Sequence, residues 1–354
     1  MSSDTFQASK KKSDEIKADL AVHPEKYTML TGDRPTGRLH MGHYFGTIKE
    51  RVKLQEMGIT TRIIVADYQV ITDRDTTANI ADNVHNMVID YMACGIDPEK
   101  TIIFTHSSIP ALNQLMLPFL SLCTEAELMR NPTVKSEQEA SGHALTGLLL
   151  TYPVHQACDI LFCKGNVVPV GKDQMQHLEI CRDIAQRVNG VYGNVFTVPE
   201  GYYSKTGASV KSLSDPLKKM SKSDVEDSFI SVLDTPDIIR RKYRRAVTDS
   251  EACVRFDPEK QPGVSNLLSI IAALTGEDIE KVTASFEGKG YGDLKAAVTD
   301  VTVETLAPIQ AEYARIMKDK KYMEQVYRDG AQHASYLAER TLQKFMKKIG
   351  YVAK

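Results

Sequence analysis

Short runs of apolar and β-branched residues alternate along the chain with longer stretches whose apolar positions recur every three to four residues. The runs 27–31, 62–66, 101–105 and 167–170 predict strands, and the periodic stretches 41–57, 77–94 and 174–188 predict helices. That alternation predicts an α/β fold, a parallel sheet wrapped by helices. Between about 110 and 161 the pattern stays helical, which places a helical insertion inside the α/β unit. After Ser223 the strands fade. Thr235-Pro236-Asp237 supplies an N-cap, a proline at the first helical position and an acid in the first turn, and so opens a helix that runs through Arg245. The stretches 267–274, 305–317 and 334–349 are helical too. The expected organisation is a polar extension over 1–25, mobile or partly helical, an α/β domain over 26–225, and an all-helical domain over 226–354.

Composition narrows the function classes. With 354 residues, 42% hydrophobic and 25% charged, the chain can bury one large core or two, which excludes intrinsic disorder. The formal net charge of −2 provides no global basic field, so contact with nucleic acid would need a local patch. The six cysteines form no CxxC pair, and no protein-bound metal is expected. Apolar runs such as 267–274 are too short to cross a bilayer and the N-terminus has no apolar signal core, so a cytoplasmic protein without a membrane partner is expected.

Two stretches carry chemistry. The first strand runs into Gly32-Asp33-Arg34-Pro35-Thr36-Gly37-Arg38-Leu39-His40-Met41-Gly42-His43 and then into a helix. Free backbone N–H groups and the positive end of a helix favour anions at such a place. Gly42 would let a flat base or a phosphate approach the backbone, and His40 and His43 can donate to phosphate oxygens. An ordinary turn with solvent-facing histidines is the alternative. Far along the chain, Lys218-Lys219-Met220-Ser221-Lys222-Ser223 combines small polar residues with three lysines, which suits either a clamp on a charged leaving group or a solvated basic loop. A third stretch, Arg240-Arg241-Lys242-Tyr243-Arg244-Arg245, reads as a phosphate-binding strip with a tyrosine able to stack on a base, or as a solvated helix face.

Together, the HxGH-type run after the first strand and Lys219-Met220-Ser221-Lys222-Ser223 resemble the two signatures of class I aminoacyl-tRNA synthetases. In that family the first holds adenine and the phosphates of ATP, and the second is a loop whose lysines stabilise departing pyrophosphate. From about Tyr27 onward, through 35–37, 168–179, 246–250, 262–268 and 286–289, the chain resembles the bacterial-type tryptophanyl-tRNA synthetases; the tyrosyl enzymes share the Tyr-x3-Gln-x2-Asp pattern at 152, 156 and 159.

The resemblance implies a Rossmann-type catalytic domain and a homodimer that joins L-tryptophan to tRNA(Trp) with MgATP. Tyrosine–tRNA ligation, or nucleotidyl transfer without RNA, are the alternatives. His40, His43, Lys219 and Lys222 would be catalytic. Arg34, Pro35, Thr36, Gly42, His43, Gly171, Lys172, Asp173, Val210 and 219–223, with Met220, Ser221 and Ser223, would meet ATP. Asp159 would read the indole nitrogen, Val168 and Val170 would line the pocket, and Tyr152, Gln156, Gln174 and Gln69 would complete it. Arg240, Arg241, Arg244 and Arg245 would meet tRNA. An ionised aspartate only accepts hydrogen bonds and an indole N–H only donates, so that pair is complementary, although a phenol O–H would satisfy Asp159 as well. A buried carboxylate with a structural partner is the plainer reading. Arg34 stands where many relatives carry Gln, Gln69 where many carry His, and Gln156 where many carry Met. Tryptophan is absent from the chain, which suits an enzyme whose synthesis must continue when its substrate is scarce.

Overall fold

The computed structural model describes residues 3–72, 78–142, 144–171, 174–203, 210–221 and 225–352. Five strands, β1 (Thr28–Asp33), β2 (Thr60–Val65), β3 (Thr101–Thr105), β4 (Val167–Pro169) and β5 (Glu200–Tyr202), form one parallel sheet in the order β3-β2-β1-β4-β5. Four lie where the apolar runs predict them. The fifth was not foreseen, because it has only three residues with Gly201 at its centre and shows no alternation. The strand order reverses between β1 and β4, and a crevice outside the carboxyl ends of such a pair is where open α/β sheets bind ligands.

The helices are α1 (Ser3–Leu20), α2 (Met41–His43), α3 (Lys49–Glu56), α4 (Ile80–Ala93), α5 (Pro110–Leu120), α6 (Glu125–Met129), α7 (Pro132–Ser141), α8 (Gly147–Phe162), α9 (Met175–Tyr192), α10 (Pro236–Arg245), α11 (Pro262–Thr275), α12 (Ile279–Ala284), α13 (Tyr291–Ile316) and α14 (Lys320–Ile349). A π-helical turn, Tyr44–Ile48, joins α2 to α3. Helices α5 to α8 occupy the expected insertion. Thr235 caps α10 as predicted, its side chain accepting from the Ile238 N–H.

Strand alternation distributes the core. Ile63 and Val65 of β2 pack with α4 and with Leu267, Val298 and Leu306 of the C-terminal helices, whereas Ile64 packs with Leu30, Phe104 and the helices α5, α8 and α9. Helix α14 returns to this second cluster through Ala334, Leu342 and Phe345. Within the extension over 1–25, expected to be mobile or partly helical, Ser3–Leu20 forms the helix α1, which packs against the sheet. Ile16 and Leu20 of α1 are buried with Met29, Val167 and Tyr202, and Ser13 Oγ accepts the Tyr203 N–H at 2.9 Å. Helix α1 therefore lies against β5, which would otherwise be an open sheet edge.

At the opposite edge, α14 lies flat on β3 because it carries a glycine there. A Cβ on Gly330 would fall 1.8 Å from the Ile103 carbonyl oxygen. Gly330→Ala is expected to destabilise the protein by about 1–3 kcal/mol, read as a lowered urea midpoint. An unchanged midpoint would mean that this contact does not hold the helix.

Candidate active site at the carboxyl ends of the strands

The loop after β1 is fixed before it reaches the histidines. Asp33 accepts from Arg51 Nη1 at 2.6 Å and from the Tyr91 hydroxyl at 2.6 Å. Burial alone would raise this carboxyl, but the Arg51 guanidinium outweighs it and holds Asp33 well below the usual carboxylate range. Pro35 is buried, and Arg34 reaches Glu137 of α7 at 3.2 Å, so the loop is tied to the helical insertion. Arg38, to which sequence analysis gave no role, donates to the buried Asp90 at 3.0 Å and to the Tyr313 hydroxyl of α13 at 2.6 Å, while Asp90 also accepts the Leu39 N–H. His43 Nδ1 accepts the His40 backbone N–H at 3.4 Å, which leaves the proton of the neutral ring on Nε2 as a donor. The two imidazole rings lie 3.8 Å apart.

The distant lysine loop comes to the same place. Its base is a small hairpin in which the Ser212 N–H donates to the Lys218 carbonyl at 3.0 Å and the Met220 N–H to the Val210 carbonyl at 3.1 Å. Asn266 of α11 clamps this hairpin through both backbone groups of Lys211. Met220 is buried, and its Cβ lies 3.5 Å from where a Cβ on Gly42 would sit. The next segment pairs with the first loop: the Met41 N–H donates to the Ile230 carbonyl at 2.9 Å and the Val232 N–H to the Leu39 carbonyl at 3.2 Å. Lys219 is exposed on the paired arm of the hairpin, opposite Lys211, and Ser221 lies beyond Met220, while Lys222 and Ser223 lie outside the described residues.

A polar cluster stands at the ends of β2, β3 and β4. Tyr152 and Gln156 of α8 converge on His177 of α9: the Tyr152 hydroxyl lies 3.2 Å from His177 Nε2, and Gln156 Oε1 lies 2.8 Å from Nδ1. Gln174 joins this network through its Oε1, 3.2 Å from the same Nδ1. Val168 is buried on β4, Val170 follows it, and Gly171 accepts the Gln174 N–H; Lys172 and Asp173 lie outside the described residues. Gln69 sits in the 3-10 turn Tyr68–Ile71 that follows β2. One turn of α8 beyond Gln156, the buried Asp159 places Oδ2 2.8 Å from His106 Nε2, and its Oδ1 has no hydrogen-bond partner among the described residues. His106 and His177 were missed as site residues. Neither has a motif of its own, and only packing brings them to α8.

The basic strip on α10 needs correction. Tyr243 is fully buried, with its hydroxyl 2.9 Å from Thr302, so it cannot stack on a base. Lys242 is buried as well, 2.8 Å from Asp234. The burial of Ile239, Lys242, Tyr243 and Ala246 follows the helical period, and that spacing was the available signal. Arg240 pairs with Asp237, Arg241 with Glu226 and Asp227, and Arg245 with Asp227, while Arg244 is exposed.

A parallel α/β sheet with a histidine loop after β1, closed from the far side by a lysine hairpin, defines an enzyme that works on a nucleotide. Residues 23–307 match the family model for tRNA synthetases class I (W and Y), and the chain belongs to that family. It is 41% identical to the tryptophan–tRNA ligase of Clostridium tetani over 334 residues, 94% of this chain and 98% of that one. Among solved structures, the tryptophanyl-tRNA synthetase of Mycoplasma pneumoniae superimposes with a TM-score of 0.81 at 31% identity, covering 92% of this chain and 98% of that chain. The Campylobacter jejuni tryptophanyl-tRNA synthetase solved with ADP and tryptophan gives 0.77 at 29% identity, covering 91% and 99%. The fold is therefore the Rossmann-like fold of class I synthetases, followed by a helical C-terminal region.

Proposed function

We propose that this chain is a tryptophan–tRNA ligase, which activates L-tryptophan with ATP to tryptophanyl-adenylate and pyrophosphate and then transfers tryptophan to tRNA(Trp). The observation that carries the reading is the meeting of the lysine hairpin with the histidine loop at Met220 and Gly42, beside the carboxyl end of β1. ATP, with its magnesium ion, enters as substrate. Pro35, Thr36, Gly42 and Gly171 offer backbone around it. The His40 and His43 imidazoles, with Lys219 and Lys222, meet the negative charge that builds as the tryptophan carboxylate attacks the α-phosphate. No covalent nucleophile is needed, because positioning and charge stabilisation suffice. Asp159 Oδ1 accepts the indole N–H, and Tyr152, Gln156 and Gln174 hold the polar end of the amino acid.

Residues 226–354 form the tRNA-binding part. Arg240, Arg241, Arg244 and Arg245 offer phosphate contacts, since surface ion pairs worth about 1 kcal/mol or less exchange readily for phosphate. The test is pyrophosphate exchange run with tryptophan, with tyrosine and with neither. Exchange is expected with tryptophan and not with tyrosine. Exchange with tyrosine alone would reverse the assignment, and exchange with neither would end it.

A further inference from the structure

The carboxylate of Asp159 has two oxygens, and only one can meet a ligand. The torsion that turns the carboxylate plane is broad and nearly two-fold, so the rotamer of Asp159 does not select which oxygen faces outward. Burial makes any unpaired oxygen costly. A second partner must therefore hold the plane, and one is present. His106 is fully buried in the 3-10 turn His106–Ser108 that ends β3, with Nε2 2.8 Å from Asp159 Oδ2. An ionised carboxylate can only accept, so His106 Nε2 carries the proton and donates it.

The His106 ring is itself held on several sides. The Tyr68 ring lies nearly parallel to it with centroids 6.0 Å apart, and the His155 ring meets it edge-on at 4.7 Å. The turn is anchored by the Ser107 N–H, which donates to Asp67 Oδ1 at 3.1 Å, and by Ser107 Oγ, which donates to Asp67 Oδ2. His155 is occupied elsewhere, with Nε2 3.1 Å from Asn113 Oδ1, and burial keeps it below the ordinary histidine value, so at neutral pH it is not a rival cation for Asp159. The remaining oxygen, Asp159 Oδ1, is buried and has no partner among the described residues.

We propose that His106 is a positioning residue for amino-acid selection: its Nε2–H holds Asp159 Oδ2 so that Oδ1 is presented as the acceptor for the indole N–H. The proposal rests on the reading of Asp159 as the group that meets the indole. It names a residue on the turn that follows β3, separated from α8 in sequence by α5, α6 and α7, through which that reading is enforced.

The experiment compares tryptophan with its isostere in which sulfur replaces the indole N–H, by amino-acid-dependent pyrophosphate exchange. Wild type is expected to prefer tryptophan by roughly 10²-fold or more in kcat/KM. Asp159→Ala removes the acceptor and abolishes the preference. His106→Ala is expected to reduce it to about tenfold or less, raising the KM for tryptophan while kcat and the KM for ATP hold. His106→Gln, whose amide N–H can reach the Nε2 position, restores the preference, and His106→Asn, whose amide falls short, does not. Should His106→Ala fail to fold, the Gln and Asn pair carries the test by itself. If Asp159→Ala loses the preference while His106→Ala or His106→Asn retains it in full, the positioning role is overturned and the Asp159 reading stands. If Asp159→Ala retains the preference, both fall.

Discussion

Replacing Lys219 and Lys222 together with alanine is expected to lower tryptophan-dependent pyrophosphate exchange by about 10³-fold. Removing one preorganised donor to transition-state charge costs about 10²–10³-fold, and groups that serve the same oxygens do not add. The fold should be unaffected. Lys219 is exposed, and its hairpin is held by backbone bonds from Ser212 and Met220 and by the Asn266 clamp, none of which uses a lysine ammonium. Tryptophan binding should persist as well. Because the chain contains no tryptophan, emission excited at the red edge of the absorption band comes from the added amino acid alone, and its anisotropy separates bound from free. A variant that binds tryptophan and does not exchange assigns the lysines to the chemical step, whereas exchange within a factor of about two of wild type would remove the loop from it.

Arg51→Met is expected to cost about 3–5 kcal/mol of stability, because it leaves the Asp33 carboxylate without its cation. The arginine side chain is only 4% exposed, and Tyr91 cannot replace its charge. The pH dependence gives the sign. Asp33 titrates lower in the folded protein than in the unfolded chain, so the stability it contributes is fully present above the unfolded value of about 4 and is lost as pH falls towards the folded value. The gap in urea midpoint between wild type and variant should therefore be full at neutral pH and narrow below about pH 4. A gap independent of pH would assign the loss to packing. Asp33 ends β1 and opens the histidine loop, so the variant should also raise the KM for ATP.

Local patterns gave reliable readings where the energetics are local. Strands at 62–66 and 101–105 are recognisable because buried parallel strands need runs of β-branched residues, and the α10 cap because Thr235 satisfies an N–H three residues away. Strand β5 escaped notice because its three residues are ordered by β4 and α1 rather than by their own propensity. The run of charge on α10 misled because charge counts ignore direction. Lys242 and Tyr243 point inward at helical spacing while their neighbours point out.

The order of residues by itself determined that a histidine-bearing loop follows the first strand, that a lysine-rich loop stands far along the chain, and that α8 carries a tyrosine, a glutamine and an aspartate on one face, since spacing along a strand or helix fixes these. Only the tertiary structure decided that Met220 meets Gly42, that Arg38 is held between α4 and α13, and that His106 meets one oxygen of Asp159 while the other has no partner among the described residues. Those contacts join residues far apart in the chain. Their formation depends on how the whole core packs, and no local pattern encodes that.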